Sequence, residues 1–547
     1  MKNRNFLLKN NKGILKYFII TAVVIISWFP VLYIPFINDD IQILGYNSGK
    51  SLLSIFKPFW TPDVSIFYWR PLGNIIHPII LFISGFEPFP FRLASLILYV
   101  FCCIVILYCC IKLNFNIESA LILVVLFAIL PSHEFQVAWI ADQGETLLAA
   151  LLILSFINYY SALQKDYISK KHISYFLLFF TASLLVKELA FVGIFIPVIA
   201  FIAKKEKVNI DFKIILKHVI IALGILIVVL LYRFIVIGGS PFNSPNFNNS
   251  GPITWIKNFF IYIPLAFFPP NFLEFLNDNL KNLLVIIPTV IVLIFCIYLF
   301  FNVYTKLSSE KKKLILAGLI WFCVFIIPAL LKLMRWYVFT ASIGLIWSLT
   351  VIFEFYWQKL NYKKIILSFT LPIFVLLIIY NFSLMQRWAS AGNKFEKSLY
   401  SLVKIKNEIK HDSVFVWCVP DKLNRIPMMK LGVQQSIQWE LKNNSLEVYS
   451  PLRAELINDK SRISLIKKSD SVFVFHLYGG RFLPIDGKSE AIIKKEFLSF
   501  KNERVTFNIN TYIKDNQPES IATVKLNPQN LNFTQLYYNG NRFVKIE

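Results

Sequence analysis

Long apolar runs with almost no charge recur along the chain and cease near residue 385. Ile14–Ile37, Leu283–Tyr304 and Ile365–Ile379 approach the ~20 residues that a helix needs to cross a bilayer. None carries the polar stripe at a 3.6-residue period that marks a helix on the surface of a soluble fold. The first run follows a basic lead, as a secretory signal would. It is too long for one, however, and ends at Pro35-Phe36-Ile37-Asn38-Asp39-Asp40 without a small-residue cleavage site, so a retained first span is expected.

The pattern predicts spans at about 14–37, 90–112, 118–131, 144–161 and 173–186, and a sixth ending at Lys204. Further spans are expected at about 214–237, 282–303, 314–331, 337–355 and 365–385, giving roughly eleven. The segment 38–89 reads as a long external stretch, and 255–270 as an interfacial or re-entrant one. Beyond residue 385 the apolar runs shorten. Phe395–Lys410 reads as an amphipathic helix, and Ser413–Val419, Ser471–Leu477, Arg504–Ile509 and Ile521–Leu526 as strands. The expected architecture is a polytopic α-helical membrane domain over residues 1–385. It is followed by a soluble extracytoplasmic α/β domain over 386–547.

Composition agrees: 56% of the 547 residues are hydrophobic and 16% charged, against roughly 45–50% and 25% in soluble domains. The net charge of +24 would suggest nucleic acid in a soluble protein. Here the Lys and Arg residues gather in short loops, at Lys2–Lys16, Lys165–Lys171, Lys204–Lys207, Lys306–Lys313 and Lys359–Lys364. That is the positive-inside pattern; it predicts a cytoplasmic N-terminus and needs no nucleic-acid partner. Frequent Lys, Asn, Ile and Phe suit an AT-rich genome, and the expected location is a bacterial inner membrane. Acids fall on the opposite side: Asp39, Asp40, Asp63, Glu87, Glu134, Asp142, Glu145, Glu188, Glu274 and Asp278. Six of the seven cysteines lie within apolar runs and Cys418 stands alone in the C-terminal part, so no disulfide framework is implied. The many acids leave room for a divalent metal, although paired histidines at ligand spacing are absent from the sequence.

Asp39-Asp40 directly follows the first span. Two carboxylates at a membrane boundary are either solvated or a proton acceptor in a cavity, where an oriented carboxylate takes the proton of an attacking hydroxyl. The sequence resembles a family here. Asn38-Asp39-Asp40, Tyr68-Trp69-Arg70-Pro71-Leu72, His133 with Val137-Ala138-Trp139-Ile140 and Glu145, Lys187-Glu188, and Arg335-Trp336-Tyr337 with Ser342-Ile343-Gly344 follow one another in order. This resembles the membrane part of GT-C glycosyltransferases, in particular protein O-mannosyltransferases and the transmembrane-and-TPR O-mannosyltransferases. Phe135-Gln136 and Asp142-Gln143 depart from that pattern, and no TPR repeats follow.

The resemblance implies transfer of a sugar from a polyprenyl-phosphate-linked donor to a lipid-linked glycan, polysaccharide or protein acceptor, with inversion. Asp39 or Asp40 would be the base, and Arg70, Lys187 and Arg335 the cations for the leaving phosphate. His133, Glu145 and Glu188 would support them. Snorkelling of Arg335, capping by Arg70 and a local Lys187-Glu188 ion pair are the structural alternatives. The aromatic cluster Trp60, Phe67, Tyr68 and Trp69 reads as an interface belt ahead of a sugar platform. An O-antigen-type ligase or polymerase, and a lipid or glycan transporter, are the rival functions.

Overall fold

The computed structural model describes residues 2–46, 52–62, 68–204, 208–238, 251–268, 298, 300–331, 333–409, 412–430, 432–484, 490–493, 497–501, 504–514, 517–527 and 533–546. Asp63, Phe67, Lys205, Lys207, Glu274, Asp278, Cys296 and most of the expected span 282–303 lie outside the described residues.

Seven helices among the described residues are long and apolar enough to cross a membrane: Ile14–Tyr33, Pro88–Lys112, Ile140–Ala162, Phe212–Ile237, Ser309–Leu331, Arg335–Trp357 and Tyr362–Glu408. The chain is a multi-span membrane protein with a strand-rich C-terminal part. The expected third span is Ile117–Ala128 followed, across a 53° bend, by Pro131–Ala138. Pro131 cannot continue the hydrogen-bond ladder, and the preceding Leu130 adopts an extended conformation with φ −65° and ψ 126°. The fifth is the helix Lys170–Leu184, and the sixth is divided into a 3-10 segment, Glu188–Phe195, and a short helix, Ile196–Lys204. Within the apolar stretch 255–270 the structure has the helix Pro252–Leu265.

One expectation needs correction. Phe395–Lys410 is not a separate amphipathic helix but the end of a 46-residue helix, Leu360–Ile405, that continues the last apolar run. Nothing between Tyr380 and Phe395 breaks a helix except Gly392, and that glycine has a packing reason: a Cβ there would come within 3.0 Å of Pro35.

The chain divides into two compact units, Met1–Val31 with Gly49–Gly85 and Pro90–Leu384, and Leu32–Ser48 with Phe86–Phe89 and Met385–Glu547. Within the first, side chains cap the helices: Asn116 accepts from the amides of Glu118 and Ser119, Asp211 from Lys213 and Ser308 from Lys311. Ser309–Ile326 and Val338–Trp357 approach closely where Gly318 faces Gly344, with no room for a side chain on either. Asn381 donates to Ser27 Oγ (2.7 Å) and to the Ile129 carbonyl (2.9 Å), and Trp28 Nε1 donates to Ala128 O (2.9 Å). The carbonyls freed by the Pro131 bend are thus satisfied by the first and last spans.

The second unit holds three sheets. One joins Phe543–Lys545, Thr534–Tyr538, Ser413–Trp417 and Glu447–Tyr449, with Ser413–Trp417 parallel to two neighbours. A second joins Ile426–Pro427, Val419–Leu423, Leu452–Leu456 and Gly480–Pro484. The third is six-stranded and antiparallel, in the order Arg462–Ser469, Val472–Tyr478, Gln517–Leu526, Val505–Lys514, Phe497–Lys501 and Glu490–Ile493. All four expected strands are present, each within a larger sheet.

Candidate active site

Arg70, Lys187, Glu145 and Glu188 come together in one charge network of the first unit. Local packing sets it up. Arg70 precedes the short helix Pro71–Asn74, whose Leu72 amide donates to the Leu185 carbonyl at 3.0 Å. Gly73 lies so near the Val186 carbonyl that a Cβ would sit 2.8 Å from it. Only glycine admits this approach, which places Arg70 beside the Lys187-Glu188 junction.

Arg70 donates from Nε and Nη2 to Glu188 at 3.0 and 2.7 Å and covers the Tyr68 ring at 4.1 Å. Glu188 also pairs with Arg233, 2.9 Å away. Arg233 belongs to the span Phe212–Ile237 and was not among the expected site residues. Its signal in the sequence is a single guanidinium inside an apolar span, which must find a partner. Two guanidinium groups, Arg70 and Arg233, thus share the one Glu188 carboxylate. Burial pulls the Arg70 guanidinium down, and Glu188 more than reverses that.

Lys187 was expected to bind the donor phosphate. Its ammonium instead sits between two carboxylates, 2.7 Å from Glu145 and 3.3 Å from Asp142, with the side chain 7% exposed. It also lies over the Tyr337 ring at 4.9 Å. The two carboxylates balance its charge. Glu145, expected as a supporting residue, accepts from Lys187 and from Thr340 Oγ1, each at 2.7 Å. Asp142 accepts from Gln136 Nε2 at 2.9 Å, and the same amide reaches the Trp336 carbonyl at 3.1 Å.

These contacts converge on the turn Arg335–Tyr337. Behind it, Tyr262 accepts from the Met334 amide (2.8 Å) and its hydroxyl lies 3.2 Å from the Met334 and Ala329 carbonyls. Trp336 packs edge-on against Trp139 and Phe135. Arg335 itself is half-buried. Its backbone neighbours are held on both sides.

His133 is buried in an aromatic nest of Phe127 and Phe339, and its Nδ1 is 2.8 Å from the Tyr99 hydroxyl. Trp69 is buried and donates to the Phe59 carbonyl (3.1 Å), whereas Trp60 is exposed. Among the described residues no three His, Cys, Asp or Glu side chains converge as a metal site.

Asp39 and Asp40 belong to the second unit. The solvated alternative does not hold, since Asp39 is 8% and Asp40 0% exposed. Asn38 adopts a left-handed conformation, φ 57°, and its amide donates to the Met428 carbonyl at 2.7 Å. Asn38 Nδ2 donates to Asp39 Oδ1 (3.0 Å), and the Ile37 amide to Asp40 Oδ2 (3.0 Å). Asp40 thus closes the turn, while Asp39 keeps the greater exposure.

No family model matches the chain. Human protein O-mannosyl-transferase TMTC1 is 31% identical over 141 residues, 24% of this chain and 16% of that protein. The Mus musculus protein of the same name is 30% identical over 141 residues, 24% of this chain and 15% of its own. The resemblance read from the motifs is found. The chain spans about a sixth of the length of the curated relatives it matches. Among solved structures, ArnT from Cupriavidus metallidurans bound to undecaprenyl phosphate is similar over 81% of this chain and 93% of that one, with a TM-score of 0.42 and 11% identity.

Proposed function

We propose that the protein is an inverting glycosyltransferase of the extracytoplasmic membrane face, with its N-terminus in the cytoplasm and its C-terminal domain outside. It moves a sugar from a polyprenyl-phosphate-linked donor to a lipid-linked glycan, polysaccharide or protein acceptor. The reading rests on the ion-pair lattice of Arg70, Glu188, Arg233, Lys187, Asp142 and Glu145, in which Lys187, Asp142, Glu145 and Arg233 are almost wholly buried. Ionisable groups packed among apolar helices of a membrane protein are costly and mark functional sites. The lattice ends at the turn that carries Arg335, and the O-mannosyl-transferase relatives support the same class of reaction.

In this reaction the acceptor oxygen bonds to the anomeric carbon as the bond from that carbon to the phosphate oxygen breaks. The hydroxyl proton passes to Asp39, and the polyprenyl phosphate leaves with the electron pair. A single displacement inverts the centre. Arg335 meets the charge growing on the phosphate, Arg70 supports it from the pair with Glu188, and Asp40 orients the turn that carries Asp39. Purified protein supplied with polyprenyl-phosphate sugars should transfer sugar, and Asp39→Asn should lower turnover about 10²–10⁴-fold. Asp40→Asn should fall less and lose thermal stability as well. Undiminished turnover in Asp39→Asn removes the proposed base.

A further inference from the structure

The six-stranded sheet of the second unit has one face in the core, through Phe473, Phe475 and Leu477, and another directed outward. Cross-strand register places Arg462, Tyr478, Glu519 and Tyr512 in one row across four adjacent strands. Three strand spacings of ~4.8 Å make that row roughly 14 Å long. His476 and Asn510 follow in the next row, both paired to Ile521.

These side chains hold one another in place. Tyr512 donates to Glu519 Oε2 at 3.0 Å, and His476 Nε2 lies 3.2 Å from that oxygen and 3.1 Å from the Tyr512 hydroxyl. Arg462 lies over the Tyr478 ring at 5.2 Å, and the His476 and Tyr478 rings are 3.8 Å apart. Tyr512 is nonetheless 39% exposed, and Arg462 and Asn510 are exposed. Ordering long polar side chains on a surface costs conformational entropy that a plain solvated face avoids. Fixed side chains bind at less cost than mobile ones.

The chemistry selects the ligand. Within the row the charges of Arg462 and Glu519 offset each other, while the exposed Lys501, Lys514 and Lys525 stand farther along the same face. The row offers amide, guanidinium and carboxylate groups at fixed spacing for hydroxyls, beside aromatic rings for apolar C–H faces. An uncharged saccharide chain has both features. We propose that this face binds a neutral oligosaccharide, the glycan portion of the acceptor. Its role as acceptor site rests on the glycosyltransferase reading; the binding does not.

The test uses the full chain in nanodiscs and a panel of neutral di- to pentasaccharides of mannose, glucose, galactose and N-acetylglucosamine, read by saturation-transfer NMR and titration. At least one should bind, and Tyr512→Ala and Glu519→Ala should each weaken it about tenfold or more. Val474→Ala, two residues along the same face from His476, should leave it unchanged. Asp39→Asn should bind as the wild type does, even with turnover gone. Binding without turnover from any polyprenyl donor would remove the transferase reading and leave this one standing. Absence of binding to the whole panel, or equal binding by Tyr512→Ala and Glu519→Ala, overturns the proposal.

Discussion

Lys187→Met should unfold the membrane unit far more readily than any other single change to the lattice. The substitution leaves Asp142 and Glu145 facing each other with no cation, and both side chains are almost wholly buried. Removing one partner from a buried ion pair costs about 3–5 kcal/mol, because the remaining charge is neither solvated nor compensated. Proton uptake by one carboxyl would relieve part of this, so the loss should shrink as pH is lowered. Replacing the whole group tests the account more sharply. A triple variant, Lys187→Met with Asp142→Asn and Glu145→Gln, has no buried charge there, and neutral replacements of matching size are often tolerated. Its unfolding temperature should recover most of the loss. Were Lys187 a phosphate ligand, Lys187→Met would instead raise the donor KM and leave unfolding unaffected.

The membrane character of the chain was legible in the run lengths and in the placement of lysines, since both follow from the cost of polar groups in hydrocarbon. The Lys187-Glu188 pair illustrates the limit of such reading. Its residue types and its place between two apolar runs were visible, but its partners lie at positions 70, 142, 145 and 233. No local pattern says that adjacent residues of opposite charge turn to different partners; that depends on how separate helices pack. Arg233 was visible as a lone charge and went unused because the run around it satisfied the span criterion. Composition changes near residue 385, yet the helix Leu360–Ile405 runs on through that point. A helix has no reason to stop where its environment turns from lipid to protein unless a breaker stands there. In the C-terminal part, enrichment in Val, Phe and Ile marks four strands, but their pairing into three sheets involves partners as far apart as Ser413–Trp417 and Thr534–Tyr538.

Arg335→Ala should abolish most transfer without disturbing the fold. The turn beneath the side chain has other supports. Tyr262 holds Met334, Gln136 holds the Trp336 carbonyl and Trp139 packs on Trp336, and all three contacts survive the substitution. A donor aimed at charge that develops only in the transition state is worth about 10²–10³ in turnover, or roughly 2.7–4 kcal/mol. The expected signature is a fall of that size in kcat with an unchanged unfolding temperature. Arg335→Lys should recover only part of it, because an ammonium supplies the charge but not the fork that meets two phosphate oxygens. Tyr262→Phe separates position from charge: Arg335 remains, but the turn loses the hydroxyl that accepts from Met334 and reaches two carbonyls. Turnover should drop there too, with a modest loss of stability, since a group held loosely by even an ångström stabilises the leaving phosphate poorly. If Arg335→Ala turns over like the wild type while Tyr262→Phe does not, the turn matters for another of its residues, and Arg335 is only an anchor at the membrane boundary.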